Sequence, residues 1–549
     1  MATDIKAPLL VHTEDLEGSG TSSDSARSYY GGVKIAEDVI SPVLANEVPQ
    51  GRHLGLFSTV VMFVSRIVGS GIFATPSTMF VNCGGNALLF VTVWIVAMLA
   101  AFSGLYLYLE FGCLLPRSGG PKNFLEAVYD RPRMMMSVAF ASFSVLTGFT
   151  VSGAIVFGKY TLYALGFDRK YVNEDSAMCN YIGAAAVMLI VVIHGSSVKH
   201  GIIVQNILGG MKFLLIAVMS VTGIYAVFFF DTRADDQNPA YYVKSHFWES
   251  RDSSLITASS LTASFMQAFF CFSGWDGVHS VVSEVKDPVR TMRIAGPFSL
   301  LIAFGCYMLL NFAYLFVLSW EEIQGAGPLI GSILFSKLYG PTLGGKFVTL
   351  CVAVSTASNL FVVIYGTSRM NQEFFREGYL PFSKQMASNW PWGSPLPSLL
   401  CCGLITVAWL CFLPPSGAAY DYLVNFEGYS KQFFLMLIAI GLFIYRHRHP
   451  DIVAEIRASM IGVAFLAVIS VYLMVGPFFG DQSGNVVGWL PPYQITTLLM
   501  FLVCFLYWLL KFVLLPRLLG YRLQALIVTL SDGLEIKRWR RRYSKQASI

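Results

Sequence analysis

The sequence has little charge. Only 13% of its 549 residues are Asp, Glu, Lys or Arg, about half the usual ~25% of a soluble protein. Hydrophobic residues make up 55%, and the mean hydropathy is +0.59. So few charges cannot coat the several soluble domains that this length would otherwise predict. The composition also excludes disorder, collagen and coiled coil. The net charge of +5 is small and concentrated in one tail, which argues against a nucleic-acid partner.

The sequence also lacks the signs of a disulfide framework or a metal site. Its ten Cys lie mostly in apolar runs, where Cys is usually a small core residue. Its eight His are scattered, and His194, His200 and His279 have no metal-ligand spacing. An enzyme embedded in a membrane would need a His, Asp and Glu cluster at one face, and none is visible. We therefore expect no enzymatic activity, no cofactor and no metal.

The two ends of the chain are polar. Residues 1–54 are rich in Ser, Asp and Glu, and no apolar stretch of a signal peptide follows a basic start. They predict a mostly disordered cytosolic tail, or a regulatory one that accepts ubiquitin at Lys6 or Lys34. Residues 516–549 predict a basic cytosolic tail. Its segment from Lys537 to Arg542 suits an anionic lipid leaflet, at ~1 kcal/mol per basic residue, but a solvated tail explains it equally well.

Between the tails, residues 55–515 contain repeated apolar runs of about 20 residues, each long enough to cross ~30 Å of hydrocarbon. A spanning segment must satisfy its own backbone hydrogen bonds, so helices are expected. The sequence therefore predicts an all-α integral membrane protein. The twelve predicted spans are 55–80, 86–114, 134–164, 180–197, 201–230, 254–283, 294–319, 342–374, 396–413, 417–445, 459–477 and 490–515.

The connecting segments predict the orientation. With both termini in the cytosol, the inner loops carry about twice as many Lys and Arg as the outer loops, as the positive-inside rule requires. An even number of spans places both ends on the same side. We therefore expect both termini in the cytosol.

Two of the spans contain helix-weakening motifs. The first has Gly69-Ser70-Gly71 near its middle, with Pro76 beyond, and the sixth has a Gly-rich stretch from Ser273 to Gly277. Spans one and six hold the same position in two five-helix halves. Paired interruptions of this kind are typical of inverted-repeat secondary transporters, with the site at the breaks. The alternative is that these glycines only permit close helix packing.

Two breaks together predict a clamp for an amino acid. Free N–H groups at the start of one half-helix suit a carboxylate, and free C=O groups suit an ammonium. Aromatic side chains would form apolar walls, and no carboxylate clearly lines the side-chain pocket, which favours a neutral substrate. The candidate substrate-binding residues are Ile67, Gly69, Ser70, Gly71, Phe270, Phe272, Ser273 and Trp275.

Lys212 lies deep within the fifth span. A charge at that depth is costly and indicates function. We expect the Lys212 ammonium to fill the place where related transporters hold a sodium ion. There it would join carbonyls of the broken first span to Ser355 or Ser358 in span eight. It could also take part in proton coupling. The alternative is a lysine that reaches toward the interface along its apolar stem.

Three further charges are candidates for an inner gate: Arg66 before the first break, and Glu110 and Glu284 near the inner ends of spans two and six. A gate needs charges that pair in one state only, and Arg66 with Glu284 is the candidate pair. A static packing pair is the alternative. Asn425 and Glu427 lie in or near span ten. Glu427 is either a second proton site or an acid of an outer loop.

Several motifs resemble the amino acid–polyamine–organocation superfamily. The stretch Gly69 to Phe73 is similar to its signature in the first span. Other stretches are similar to the L-type amino acid transporter branch, namely Phe270 to Asp276, Glu284 to Pro288, Ser368-Arg369 and Arg376 to Pro381. Within that branch the sequence looks most like fungal high-affinity methionine permeases, on Arg66, Tyr108 to Gly112, Pro288 to Thr291 and Ile294 to Pro297.

This resemblance covers about residues 55–515. It implies a LeuT-like fold with a 5+5 inverted repeat plus two helices, in which helices 1 and 6 are unwound. It implies import of a neutral L-amino acid, methionine first, by proton symport with alternating access, from the plasma membrane. Lys212 lies where the superfamily carries its span-five lysine. Animal members of the branch are linked by a disulfide to a partner glycoprotein. Cys179 is the nearest candidate for such a link but lies at the wrong place, so we expect a single chain.

Other functions remain open at this point. A broad-specificity neutral amino acid or amine transporter, or an exchanger, would have the same fold. A membrane receptor or channel belongs to another class. Twelve spans argue against a seven-helix receptor, and the pore-lining repeats of a channel are not visible.

Overall fold

The computed structural model describes residues 55–115, 120–148, 150–174, 177–229, 238–276, 287–413, 418–479, 487–530 and 533–543. Helices dominate. The first three are α1 Leu56–Ile67, α2 Gly71–Ala74 and α3 Pro76–Asn82. The next nine are α4 Ala87–Leu114, α5 Pro121–Val128, α6 Met135–Thr147, α7 Val151–Ala164, α8 Arg169–Glu174, α9 Ala177–Ser196, α10 Val198–Phe228, α11 Pro239–Ser245 and α12 Ala258–Phe272.

The second part of the chain is also helical. Its helices are α13 Pro288–Val317, α14 Trp320–Gln324, α15 Ile330–Thr342, α16 Thr349–Arg376, α17 Ser383–Met386, α18 Leu396–Phe412, α19 Ala419–Arg448, α20 Met460–Val475, α21 Tyr493–Trp508 and α22 Leu515–Leu518. Short 3-10 turns and two π-helical stretches, Leu343–Val348 and Leu509–Leu514, connect some of them.

Ten helical segments of the described chain are long and apolar enough to cross a membrane, and α12 and α18 are shorter apolar helices. The chain is therefore an integral membrane protein built mostly of helices. The predicted count of twelve spans is reached when α12 and α18 also cross, and it stays a prediction. One segment, Gly327–Arg376, is far longer than the predicted span 342–374. It bends at Gly340, whose φ of +80° only glycine adopts easily.

Two helices with a short gap between them lie within the first predicted span. Helix α1 ends at Ile67, and Val68 has an extended ψ of 96°. Helix α2 begins at Gly71, and Pro76 opens α3. Pro is well accepted at the first position of a helix because its missing N–H has no partner there. The interruption itself lies at Val68, Gly69 and Ser70, and glycine and serine favour helix poorly.

The helix that begins the sixth predicted span stops at Phe272. Helix α12 closes at Phe272, and Gly274 has a φ of +124°, a conformation that other residues avoid. Residues 277–286, which include the predicted gate residue Glu284, lie outside the described part of the chain. The sixth span is thus described from Ala258 to Asp276, and its helix stops within that range.

Aromatic packing holds α12 against its neighbours. Trp94 on α4, Phe272 at the end of α12 and Tyr307 on α13 contact one another, with ring centroids 5.4 to 5.8 Å apart. All three side chains are fully buried. Buried aromatic contacts of this kind stabilise by about 0.5–1.5 kcal/mol each beyond the area that they bury. This cluster fixes the end of α12 beside the interrupted first helix.

The predicted fold was all-α, and the C-terminal region corrects it. Two antiparallel strands, β1 Tyr521–Thr529 and β2 Glu535–Tyr543, form a hairpin where the sequence predicts only a basic tail. The physical reason is tertiary docking, which a cluster of arginines does not reveal. Ile536 is buried, and Trp539 stacks on Tyr379, whereas most other residues of β2 are exposed.

The hairpin docks on the segment after α16. The Glu377 carboxylate lies 2.9 Å from Lys122 Nζ on α5 and 2.9 Å from Lys537 Nζ on β2. Burial raises the pKa of this carboxyl, but the two ammonium charges outweigh burial and hold the pKa at about 2. The Trp539 ring stacks on Tyr379. Lys537 is thus engaged within the protein, while Arg538 and Arg540 to Arg542 point mostly to the surface.

This hairpin marks one end of the helix bundle, which we call the hairpin end. Arg446, close to the end of α19, pairs with Glu110 near the end of α4. Arg448 donates to the carbonyl of Val128 at the end of α5, the helix that holds Lys122. The final turns of α4, α16 and α19 therefore all lie at the hairpin end. The first turn of α19 lies toward the opposite end, because this helix is 30 residues long.

Candidate functional site

The interruption of the first helix lies directly against the end of α12. A Cβ placed on Gly71 would stand 2.8 Å from Cys271 Sγ and 3.3 Å from the Phe270 ring. Distances this short leave room for hydrogen but not for a methyl group. Gly71 is therefore required by close packing between the two helix ends, in addition to its effect on the helix.

Three tyrosines hold the carbonyl groups around the interruption. The Tyr307 hydroxyl lies 2.9 Å from the carbonyl oxygens of both Ile67 and Cys271, and so joins the two helix ends. The Tyr314 hydroxyl donates to the Ile72 carbonyl, and the Tyr160 hydroxyl donates to the Phe73 carbonyl. Interrupting a helix leaves carbonyls without their usual partner, and these side chains replace it.

These three tyrosines were not predicted from the sequence. Each lies in an apolar helix of ordinary appearance and has no motif around it. Their one signal is a polar hydroxyl within a long apolar run, which needs a partner when it is buried. The sequence does not reveal which carbonyl is that partner.

The N–H groups at the start of α2 are the ones that the sequence predicts to bind a carboxylate. Ser70 is 2% exposed and its side chain makes no capping hydrogen bond. Among the described residues, no group accepts a hydrogen bond from the backbone N–H of Ser70 or Gly71. Buried N–H groups are nearly always paired. The two groups that the sequence predicts to bind a carboxylate are therefore available for one.

Other uncharged polar atoms lie near the interruption without a partner. Asn359 Nδ2 would stand 3.2 Å from a Cβ on Gly69, while its Oδ1 makes no hydrogen bond. Ser355, one turn earlier on α16, has an unpaired hydroxyl. On α19, the Tyr420 hydroxyl and Asn425 Oδ1 are likewise buried and unpaired. A small polar ligand beside Gly69 would satisfy an atom such as Asn359 Oδ1, since unpaired buried polar groups are costly.

Lys212 on α10 reaches the first helix. The side chain is 1% exposed, and its ammonium donates a 2.6 Å hydrogen bond to the Ser65 carbonyl. That carbonyl would bond residue 69 in an unbroken helix, but α1 ends at Ile67. The expected contact with the broken span is present. The expected bridge to Ser355 or Ser358 is not formed between these described residues.

The aromatic residues of α12 separate into two groups. Phe270 is partly exposed and faces Gly71. Phe272 belongs to the buried aromatic cluster with Trp94 and Tyr307. Trp275 packs edge-on against Tyr108 of α4, at 5.1 Å, and Ser273 donates back to the Phe269 carbonyl. Of the predicted apolar walls, the structure brings Phe270 to the interruption and places Phe272 and Trp275 against α4.

The two gate candidates in the described part of the chain, Arg66 and Glu110, have different neighbours. The Arg66 stem packs against Gly274, and its guanidinium is attracted by Asp276. Glu110 forms a bidentate ion pair with Arg446, at 2.8 and 2.6 Å, and accepts a hydrogen bond from the Ala458 N–H. Glu110 therefore joins three segments at the hairpin end, and its partner is Arg446 and not Arg66. Glu284 lies outside the described residues.

Two acids on α19 face the interior. Glu427 lies within this helix, and its carboxylate accepts a 3.1 Å hydrogen bond from Ser152 of α7. It is thus an acid of a membrane helix and not of a loop. Asp421, which was not predicted from the sequence, accepts hydrogen bonds from Thr78 at 3.1 Å and Gln267 at 3.0 Å. Within the described residues, no group of three or more His, Cys, Asp or Glu is arranged to hold a metal ion.

Comparisons with known proteins agree with this architecture. A family model described as "Amino acid permease" matches residues 54–503. The low-affinity methionine permease of Saccharomyces cerevisiae is 52% identical over 495 residues, which cover 90% of this chain and 88% of that protein.

More distant relatives have related names. The high-affinity methionine permease of Saccharomyces cerevisiae is 29% identical over 513 residues, covering 91% of this chain and 86% of that protein. The human b(0,+)-type amino acid transporter 1 is 21% identical over 436 residues, covering 79% and 84%. The motifs led us to expect a high-affinity permease, yet the low-affinity yeast permease shares more of this sequence than the high-affinity one.

Proposed function

Because this chain belongs to the amino acid permease family, we propose that it is a secondary active transporter that imports methionine, a neutral L-amino acid. It is a transporter and not an enzyme, as its family and its named relatives indicate. The observation that carries the proposal is the contact between Gly71 and Cys271, which joins an interrupted helix to the end of α12 beside unpaired polar groups.

The proposed architecture has twelve membrane helices, with α12 and α18 included. Ten of them form a LeuT-like 5+5 inverted repeat, and the first and sixth helices are unwound. Support comes from the non-helical residues between Ile67 and Gly71, and from the end of α12 at Phe272. Discontinuous helices that meet near mid-membrane are the usual substrate site of such transporters.

The substrate would bind as a zwitterion at these helix ends. Its carboxylate would accept hydrogen bonds from the N–H groups of Ser70 and Gly71, with Gly69 allowing close approach. Its ammonium would donate to the carbonyls of Ile67 and Phe270. The Ile67 carbonyl already accepts from Tyr307, but a carbonyl oxygen has two lone pairs.

The side chain of the substrate is the basis for methionine. The partly exposed Phe270 ring offers an apolar and polarisable wall, and thioethers make favourable contacts with aromatic rings. The unpaired groups on Ser355, Asn359, Tyr420 and Asn425 are uncharged. A cationic or anionic substrate side chain would lack a charged partner among these groups. A neutral substrate is therefore favoured.

We propose proton symport through Lys212, whose ammonium donates to the Ser65 carbonyl of α1 and would stand in for a coupling ion there. Loss of the proton would weaken this hydrogen bond, because a neutral amine is a poorer donor than an ammonium, and would loosen the hold on α1. Ser355 and Ser358 on α16 are the next acceptors within the predicted site. Glu427 is a candidate for a second proton site, since it lies inside the bundle beside Ser152.

We propose that the hairpin end faces the cytosol, with both termini there and the protein in the plasma membrane. The basic ends of α16 and α19 agree with the positive-inside rule.

The chain would act alone, and residues 1–54 would be a substrate of the ubiquitin machinery. The strand register places Arg522, Arg538, Arg540 and Arg542 on one face of the hairpin, which suits anionic lipid. Arg66 is proposed as an inner gate, paired with Asp276 or Glu284 in one state.

The test is uptake of labelled methionine into proteoliposomes that contain the purified protein. Acid outside and neutral buffer inside should drive accumulation, and a protonophore should abolish it. If methionine crosses only in exchange for an internal amino acid, the chain is an exchanger and the proton coupling is wrong. If methionine does not cross under any condition, the substrate proposal is wrong, and competition by other neutral amino acids and amines would identify the substrate.

A further inference from the structure

One carboxylate connects three separate helices away from the hairpin end. Asp421 lies in the first turn of α19, where Oδ2 accepts a 3.1 Å hydrogen bond from Thr78 of α3. Its Oδ1 accepts a 3.0 Å hydrogen bond from Gln267 of α12. Helix α3 is the part of the first span beyond its interruption, and α12 is the part of the sixth span before its own. Asp421 therefore ties both half-helices to α19.

A buried ammonium lies near this carboxylate but does not bond to it. Lys159 of α7 is 4% exposed, and its Nζ has no hydrogen-bond partner among the described residues. Asp421 and Lys159 attract each other electrostatically. The structure nevertheless forms no ion pair between these two described residues, because the carboxylate is held by Thr78 and Gln267.

This arrangement is unusual in its energetics. Buried charges are normally paired, and a buried lysine without a partner is unfavourable. The neighbouring carboxylate accepts from two neutral donors instead, which form weaker hydrogen bonds than a charged donor does. The two side chains on α7 and α19 would thus gain by meeting, whereas Asp421 bonds to α3 and α12 instead.

We propose that Asp421 is the switch of the outer gate, exchanging Thr78 and Gln267 for Lys159 when α3 and α12 swing outward. This inference rests on the proposed transport function and orientation, in which the end opposite the hairpin faces outward. In the closed state, the two hydrogen bonds to Asp421 hold the half-helices. In the open state, the Lys159–Asp421 ion pair replaces them, so neither state leaves the carboxylate unpaired.

The closed state is the one that the structure describes. Tyr160, next to Lys159 on α7, donates to the Phe73 carbonyl, and Ser77 of α3 donates to the Ile323 carbonyl of α14. These contacts seat the outer half of the first span on α7 and α14. Opening must break them together with the Asp421 hydrogen bonds. The ion pair with Lys159 compensates part of that loss.

The gate can be followed with two spin labels on opposite sides of it. Leu165 is 69% exposed at the end of α7. Trp248 is 74% exposed, and the turn between α3 and α4 is bonded to its segment through Asn86 and Gly84. Cysteines at 165 and 248 carry the labels in a background with Cys411, the exposed native cysteine of the described chain, changed to Ser. Double electron–electron resonance then measures the distance distribution in nanodiscs.

The decisive variant is Lys159→Met, which removes the partner of the open state and no hydrogen bond of the closed one. The long-distance population should fall by about tenfold, the size expected for one charge-assisted hydrogen bond. Lys159→Arg should restore much of it. Lys431→Met, an exposed lysine on the same helix as Asp421, is the matched control and should leave the distribution unchanged.

The opposite shift should follow from weakening the closed state. Thr78→Val removes one donor to Asp421, and Gln267→Leu removes the other, so either variant should enlarge the long-distance population. If Lys159→Met leaves the distribution as it is, or if Thr78→Val shifts it in the same direction as Lys159→Met, the switch is refuted. The labels report the gate in the absence of substrate. If the distances shift as expected but the protein does not transport methionine, only the proposed substrate is refuted.

Discussion

The Lys212 ammonium donates a 2.6 Å hydrogen bond to the Ser65 carbonyl, although 147 residues separate the two in the chain. The contact exists because α1 stops at Ile67, two residues later, and leaves that carbonyl without its partner within the helix. A buried charge and a broken helix thus satisfy each other. Contacts of this kind around the interruption can be tested one residue at a time.

Lys212→Met should abolish methionine uptake, with a fall of at least about tenfold, because losing one partner of a buried bond costs ~1–3 kcal/mol. The measurement is initial uptake into proteoliposomes under an inward proton gradient. Lys199→Met, at an exposed lysine in the first turn of the same helix, is the control and should transport normally. Unchanged uptake by the Lys212 variant would exclude a coupling role.

Gly71→Ala should impair transport and folding, because its Cβ would stand 2.8 Å from Cys271 Sγ and 3.3 Å from backbone of the same residue. Overpacking of this kind costs ~1–3 kcal/mol. Gly209→Ala is the same substitution where nothing lies within 4 Å, and it should be neutral or slightly stabilising. Thermal unfolding in detergent and methionine uptake would both be compared, and equal behaviour of the two variants would contradict the close packing of the helix ends.

Tyr307→Phe should lower the unfolding temperature, since it removes the hydroxyl that lies within hydrogen-bond distance of the carbonyls of Ile67 and Cys271. An unsatisfied buried carbonyl costs ~1–3 kcal/mol. Fluorescence-monitored thermal unfolding provides the measurement. Tyr225→Phe, at a half-exposed tyrosine on α10, provides the control. A Tyr307 variant as stable as the wild type would mean that water or another group replaces the hydroxyl without loss.

Glu377→Gln should destabilise the protein at neutral pH, by up to about 3 kcal/mol, since each unit of pKa shift is worth ~1.4 kcal/mol. Burial opposes the charge of this carboxyl, but Lys122 and Lys537 outweigh burial and hold its pKa at about 2, below the usual 4.5. A lowered folded-state pKa stabilises fully above pH 4.5, and this stabilisation is lost as the pH falls from 4.5 toward 2.

The difference in unfolding temperature between wild type and Glu377→Gln should therefore shrink across that pH interval. Glu249→Gln, at an exposed acid, should show little difference from wild type at any pH. A difference for Glu377 that stays constant from about pH 7 to about pH 3 would show that its ion pairs with Lys122 and Lys537 do not stabilise the docked hairpin.

Local chemistry along the chain determined much of this protein. The charge content and apolar runs predicted a membrane protein of many helices, because hydrocarbon admits only apolar segments that bond their own backbone. Gly69, Ser70 and Gly71 predicted where the first helix stops, because helix propensity is a local property. The depth of Lys212 within its apolar run predicted a buried charge in contact with the broken span.

Only the tertiary structure decided which groups meet. Tyr307 joins Ile67 to Cys271, Glu110 takes Arg446 as its partner, and Asp421 ties α3 and α12 to α19. Trp275, a predicted wall of the site, packs on Tyr108. The C-terminal hairpin was also not predicted from the sequence, because its strands are stabilised by docking on Glu377 and Tyr379. Partners hundreds of residues apart are selected by packing geometry, and a local pattern carries no record of that geometry.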